Sequence, residues 1–206
     1  MIPLFISLAV LLVLVILFIL FFPKLYRKRL KTNYVSHYGK RIYRYALHND
    51  LYLINQLELK GNDDQLISID HLLFGNKYIY VISDYYLPGT IEAKENDKSF
   101  LYTSYVKNAK TVYIDNLLLK GKMLAKKTSL TLGLNPTFFI SIAIVDNDAD
   151  FGDFKSTQKD NYIVHLSRFN KLIDEIESRD VAPLNDDQLK YAVKDVNRLN
   201  VRKKAN

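Results

Sequence analysis

The sequence predicts a mixed α/β fold: a mixed central sheet flanked by helices and preceded by one transmembrane helix. Two observations support this prediction. Residues 2–22 form an apolar run without a charged side chain, and the chain from residue 36 onward mixes strand-like apolar segments with segments at helical spacing. The order is not a strict alternation of strand and helix, so we expect a mixed sheet with helices on its faces.

The apolar run at residues 2–22 predicts a single membrane-spanning helix. Its length fits a hydrocarbon core of about 30 Å, and in lipid only a helix satisfies its own backbone hydrogen bonds. A secretory signal peptide is the alternative, but it requires a basic start, a shorter apolar segment and a small-residue cleavage site. Here the run ends in Phe21-Phe22-Pro23-Lys24. We therefore assign residues 1–23 to an anchor.

The charge of the chain is concentrated beside this anchor. The formal net charge is +7, yet eight of the 29 basic residues and no acidic residue precede Asp50, which leaves 21 basic and 22 acidic residues in the remainder. Nothing basic precedes the anchor, whereas residues 24–35 are strongly basic, so the positive-inside rule places the following domain in the cytoplasm. The absence of cysteine fits that compartment. The predicted location is the cell membrane, single-pass, with a cytoplasmic domain.

Two kinds of partner suit the basic juxtamembrane segment. Anionic lipid attracts basic side chains beside a bilayer, and the tyrosines interleaved with them are also suited to stacking on nucleic-acid bases. Candidate lipid-binding or nucleic-acid-binding residues are Lys28, Arg29, Lys40 and Arg41. A lipid-surface or assembly adaptor that works through residues 24–45 is therefore one functional alternative.

The cytoplasmic part divides into a domain at 36–180 and a C-terminal helix with a basic tail at 181–206. The segment at 78–82 is almost continuously apolar, as expected of a central strand. The acidic loop at 146–150 is expected to be a solvated turn, and Asn185 is a natural N-cap. The predicted elements are helix 36–47, strands 51–59, 66–74, 78–82, 90–94 and 100–104, helix 107–126, strands 136–145 and 161–165, and helices 167–178 and 186–199, with a turn at 61–64.

Two carboxylates and a lysine at the end of a central sheet bind a divalent metal and activate water for attack on a phosphodiester. The sequence around Asp70 resembles the nuclease-related domain family, which belongs to the restriction-endonuclease-like group. The matching residues are Ile69-Asp70-His71-Leu72-Leu73-Phe74-Gly75, then Tyr78-Ile79-Tyr80-Val81-Ile82, then Gly89-Thr90-Ile91. The resemblance covers most of residues 36–178 and implies a restriction-endonuclease-like core and a Mg²⁺-dependent nuclease acting on DNA or RNA.

The chain departs from the family pattern at the catalytic positions. Where the family has Glu-x-Lys, this sequence has Ser83-Asp84-Tyr85, and where the family often shows Gly-Glu, it has Gly39-Lys40. Of the expected catalytic set only Asp70 is kept, and one carboxylate rarely holds Mg²⁺. The sequence therefore predicts an inactive nuclease relative with a binding or scaffolding role.

Two alternatives would restore a catalytic site. Glu92-Ala93-Lys94 is an acid-x-Lys on the next predicted strand, so an active metal-dependent nuclease would use Asp70, Glu92 and Lys94. Asp84 lies one residue beyond the lost glutamate, but a shift of one residue on a strand turns a side chain to the opposite sheet face. For the same reason His71 is expected to point away from Asp70.

Overall fold

The structure is a computed structural model that describes residues 2–61, 65–105, 110–152, 154 and 156–202. Within these ranges, the side chains of residues 2–10, 23, 24, 27, 186 and 188 lie outside the description. The chain divides into two compact units, Met1–His37 and Tyr38–Asn206. The predicted turn at 61–64 falls largely outside the described residues.

Four α-helices and nine strands occur in the described residues. The helices are α1 (Ile2–His48), α2 (Leu117–Leu132), α3 (Phe169–Glu177) and α4 (Asp186–Leu199). The strands are β1 (Tyr52–Lys60), β2 (Leu66–Phe74), β3 (Ile79–Tyr85), β4 (Gly89–Glu92), β5 (Ser99–Ser104), β6 (Thr111–Asp115), β7 (Phe139–Val145), β8 (Ala149–Asp150) and β9 (Asn161–His165). Short 3₁₀ turns at Pro136–Phe138 and Leu166–Arg168 precede β7 and α3.

Helix α1 contains one break in its helical geometry, at Asn33, where φ is −126° and ψ is 22°. In the part of the chain that the structure describes, no helix is long and apolar enough to cross a membrane. Of the predicted span at 2–22, only the side chains of residues 11–22 belong to that part. Their relative exposure lies between 43 % (Leu17) and 63 % (Phe18 and Ile19). The transmembrane helix thus remains a prediction.

The strands form two mixed sheets rather than the single central sheet that the sequence predicts. The first sheet has the order β1-β2-β3-β7-β9, with antiparallel pairing from β1 to β3 and parallel pairing from β3 to β9. The second has the order β6-β5-β4-β8. The prediction of a single sheet is wrong because β4 pairs with β8, which lies far along the chain, and not with a strand of the first sheet.

Helices cover both faces of the first sheet, whose central strand β3 is almost wholly buried. On one face, apolar side chains of β2 and β3 pack with α2 and α4. On the other face, polar contacts tie α1 and α3 to the core, because the Tyr45 hydroxyl donates to Asp174 at 2.7 Å and the Tyr80 hydroxyl donates to Glu177 at 2.5 Å. The mixed α/β class and the central position of the third strand are confirmed.

The helix predicted at 107–126 is wrong in its first part. Residues 111–115 pair with β5 as a strand, and Asn116 then caps α2, accepting hydrogen bonds from the amides of Leu118 and Leu119 at 2.9 and 3.1 Å. A polar cap therefore starts the helix ten residues later than predicted. The acidic loop is also not a fully solvated turn, since Asp146 is 3 % exposed and accepts the amides of Leu87 and Asp148.

The C-terminal helix agrees with its prediction. Helix α4 has the bounds 186–199, and the Asn185 side chain accepts the Asp187 amide at 2.9 Å, as an N-cap does.

Candidate functional site

Asp70 lies where β2 and β3 separate. The ladder between these strands ends at the pair His71–Ile82. Just beyond that pair, Oδ2 of Asp70 accepts a hydrogen bond from the backbone amide of Asp84 at 2.9 Å. The carboxylate thus satisfies a β3 amide beyond the end of the ladder, and this bond gives Asp70 a structural role in addition to any chemical one.

His71 forms the centre of a polar cluster in which His71 and Asp84 are buried and Asn55 is exposed. Its Nε2 lies 2.8 Å from Oδ2 of Asp84 and its Nδ1 lies 2.7 Å from Oδ1 of Asn55. His71 is 1 % exposed and Asp84 is 6 % exposed. We call Asn55, His71 and Asp84 the His71 cluster. It joins three neighbouring strands, because its members come from β1, β2 and β3.

The register of the sheet explains why Asp84 reaches His71. Ile82 is the cross-strand partner of His71, and residues that are directly opposite share a sheet face. Asp84 is two positions after Ile82 and lies on that same face. Gly39 packs against the histidine ring, since a Cβ added to it would lie 3.1 Å from Cε1 of His71.

The electrostatics of the cluster are dominated by burial. Desolvation raises the pKa of the Asp84 carboxyl above its ordinary value, while the hydrogen bond and charge of His71 oppose this shift and Asp70 adds to it. Among the described residues, Oδ1 of Asp84 has no hydrogen-bond partner. With Asn55 as an acceptor, Nδ1 carries a proton, and the Nε2 contact is either imidazolium with carboxylate or neutral imidazole with carboxylic acid.

Replacing Asp84 with asparagine should flatten the dependence of stability on pH. A raised pKa means that the folded protein binds this proton more tightly than the unfolded chain, so the stabilisation is present below about pH 3.8 and is lost as the pH rises through the folded pKa. The free energy of unfolding, measured by urea titration at several pH values between about 4 and 7, should fall more steeply with rising pH in the wild type than in Asp84→Asn. Parallel curves for the two proteins would contradict the assignment.

Residues 83–85, at the positions where the family has Glu-x-Lys, are of other types and have other contacts in this chain. Tyr85 packs with the apolar cluster beside the second sheet, and the ammonium of Lys120 lies 5.8 Å from its ring centroid. Ser83 is half-buried. An aromatic ring therefore occupies the position of the expected lysine, and the only acid of the triplet, Asp84, is bound to His71.

The alternative acid-x-Lys lies in the other sheet. Glu92 is an exposed residue at the end of β4, and Lys94 follows that strand, whereas Asp70 belongs to β2 of the first sheet. Within the described residues, no group of three or more acidic or histidine side chains is arranged to hold a metal ion.

The four basic candidates differ in their surroundings. Lys28, Arg29 and Lys40 are exposed. Arg41 is half-buried, and its Nη2 donates to the carbonyl of Ser167 at 3.1 Å. Arg41 therefore ties α1 to the 3₁₀ turn before α3, a structural role that its place in a basic segment did not indicate.

Sequence reasoning missed the His71 cluster as a unit. Asn55 and Asp84 lie 16 and 13 residues from the histidine. The only local signal was a histidine within a strongly apolar strand, where a buried polar side chain needs a partner.

No family model, curated protein or solved structure matches the chain. The structure defines a mixed α/β domain with two mixed sheets flanked by helices and with a buried His71–Asp84 pair that the exposed Asn55 contacts from the edge strand β1.

Proposed function

We propose that the protein is a membrane-anchored, cytoplasm-facing relative of the nuclease-related domain proteins that binds or scaffolds a partner and does not cleave nucleic acid. This proposal rests on the residues that occupy the positions where the family has Glu-x-Lys. There, Ser83-Asp84-Tyr85 offers one carboxylate, which is buried against His71, and an aromatic ring in place of the lysine.

The topology is compatible with a restriction-endonuclease-like origin. In such folds the catalytic acid and the acid-x-Lys sit on adjacent strands, and here Asp70 and Asp84 lie on the adjacent strands β2 and β3. Both carboxylates are engaged in internal hydrogen bonds, Asp70 with the Asp84 amide and Asp84 with His71. A hard cation requires several free oxygen ligands. The arrangement therefore supports a scaffold in which Asp70, the one kept member of the expected catalytic set, and its neighbour Asp84 stabilise the sheet.

The exposure of residues 11–22 supports the anchor. Large apolar side chains at these positions are about half exposed, and soluble proteins rarely expose a continuous apolar band of this kind. Lys28 and Arg29, exposed a short distance further along α1, suit the headgroup region of a cytoplasmic leaflet. The proposed partners are thus the bilayer and, at the domain, a macromolecule whose class is open between protein and nucleic acid.

A nuclease assay on the full chain tests the loss of activity. The protein, reconstituted in lipid nanodiscs, is incubated with single-stranded and double-stranded DNA and RNA in Mg²⁺ or Mn²⁺, beside Asp70→Ala and Glu92→Gln variants. We expect no cleavage by the wild type above that of Asp70→Ala, because the glutamate and the lysine of Glu-x-Lys are missing and Asp70 is left as a single carboxylate.

Cleavage that disappears in Asp70→Ala would overturn the proposal. If Glu92→Gln abolished the same cleavage, the active alternative with Asp70, Glu92 and Lys94 would be established instead. Glu92 is exposed and accordingly a safe position to substitute without unfolding the domain.

A further inference from the structure

Strand β6 forms an open edge of the second sheet. It pairs with β5 on one side, and among the described residues no strand pairs with its other side. We infer that this edge binds the same edge of a second copy of the chain, so that two second sheets join into one continuous sheet. The inference is independent of the proposed loss of nuclease activity.

The edge is only partly protected against strand addition, because its protection is limited to the shortness of β6 and the charged Asp115 at its end. Native proteins guard exposed edges with inward-pointing charges, proline, bulges or a covering element. Residues 111–114 of β6 carry no charge and no proline, and they pair with β5 in a regular register. Val112 is 44 % exposed and Tyr113 is 78 % exposed. These side chains give the edge apolar surface beside its backbone groups.

Symmetry restricts how two copies can pair. Antiparallel strands at a sheet edge are related by a two-fold axis perpendicular to the sheet, and directly opposite residues must share a face. A residue of β6 must therefore lie opposite itself. With Tyr113 on the axis, Thr111 of one copy is opposite Asp115 of the other, and Val112 is opposite Ile114.

The chemistry of the strand favours this register. The Asp115 carboxylate is 78 % exposed, and its Lys120 contact at 3.6 Å is a surface pair of little strength. In this register the Thr111 hydroxyl of each copy donates one hydrogen bond to the Asp115 carboxylate of the other copy, with one such bond on each side of the central tyrosine pair. The contact of Thr111 with Thr103 at 3.0 Å is compatible with this when the Thr103 hydroxyl is the donor. If Val112 were on the axis instead, Asp115 would have no partner from residues 111–115 of the second copy. A second copy thus complements this strand in donors, acceptors and apolar surface.

The absence of cysteine allows a direct test by disulfide trapping. In Tyr113→Cys the two thiols meet at the axis, where the Cα separation of about 4.5–5.5 Å across an antiparallel pair suits a disulfide. Tyr191→Cys is the matched control, because Tyr191 is 67 % exposed on α4, away from the edge. In the full chain under mild oxidation, Tyr113→Cys should form covalent dimer about tenfold faster than the control.

Sedimentation equilibrium of the full chain in detergent provides the second measurement. The wild type should show a reversible, concentration-dependent dimer, because a five-residue edge pair is a small interface. Tyr113→Glu should abolish that dimer, since it brings two like charges together at the axis. Equal cross-linking rates for the two cysteine variants would overturn the inference. A wild type that is monomeric at every concentration would also overturn it and leave the edge to a strand of another protein.

Discussion

Replacing both Leu12 and Ile16 with arginine should release the protein from the membrane fraction. Both residues lie near the middle of the proposed span at 2–22, where one arginine costs about 2.5–3.5 kcal/mol of insertion free energy. Two such residues oppose insertion by about 6 kcal/mol, or on the order of 10⁴-fold in the partition equilibrium. The distribution of the protein between pellet and supernatant after an alkaline wash of membranes measures this effect.

A matched control separates insertion from a general effect of added charge. Leu66→Arg with Leu130→Arg adds the same charge at exposed apolar positions of the second unit, 66 % and 57 % accessible. This variant should remain in the membrane pellet. If the Leu12 and Ile16 variant also stayed there, the anchor would not lie at residues 2–22.

Replacing His71 with alanine should lower the free energy of unfolding by about 3–5 kcal/mol, because it leaves the buried Asp84 carboxyl without its partner. The change also leaves Oδ1 of Asn55 without the hydrogen bond from the histidine ring, and it opens a cavity beside Gly39. Urea unfolding of the wild type and the variant, with equal slopes required for the comparison, measures the difference.

His165→Ala is the control for His71→Ala. His165 is half-buried and its Nε2 makes one contact, with the carbonyl of Ala149 at 2.7 Å, so its loss should cost only about 1–2 kcal/mol. Removing His71 and Asp84 together should cost less than the sum of the two single changes, because no unpaired charge is then buried. A cost below about 1 kcal/mol for His71→Ala would show that the His71 cluster does not stabilise the fold.

Most elements were predictable where local pattern and turn residues agree. Strand β2 has the predicted bounds, and β3 is central because an almost continuous apolar run can only be buried on both faces. Strand β6 was missed because Val112 and Leu117 sit at spacings that also suit a helix. The signal that separates the two is Asn116, whose side chain caps the helix that follows.

The division into two sheets was not predictable from local pattern. Strand β4 pairs with β5 nearby and with β8 more than fifty residues later. Periodicity assigns a residue to one face of a strand, but it carries no information about which strand becomes the neighbour. Which strands share a sheet depends on pairings between segments that are far apart in the sequence and meet only in the folded chain.

The side-chain contacts of the candidate site were likewise only partly predictable from the sequence. Asp70 was singled out by a resemblance in a short stretch of sequence, and in the structure it lies next to the end of the β2–β3 ladder. The roles of His71 and Asp84 were not identified from the sequence. These two residues are 13 positions apart, and folding both pairs them and buries them. Arg41 likewise belongs to a basic segment in sequence and to a packed contact in the structure.

The uncharged apolar run at 2–22, the basic residues that follow it and the Ser83-Asp84-Tyr85 triplet after Asp70 are properties of the sequence alone, since each depends only on residue type and spacing. The hydrogen-bond partners of the two carboxylates, a backbone amide for Asp70 and His71 for Asp84, follow only from the folded chain. The state of a carboxylate depends on desolvation and on hydrogen-bond partners, and both are set by strands that meet only after folding.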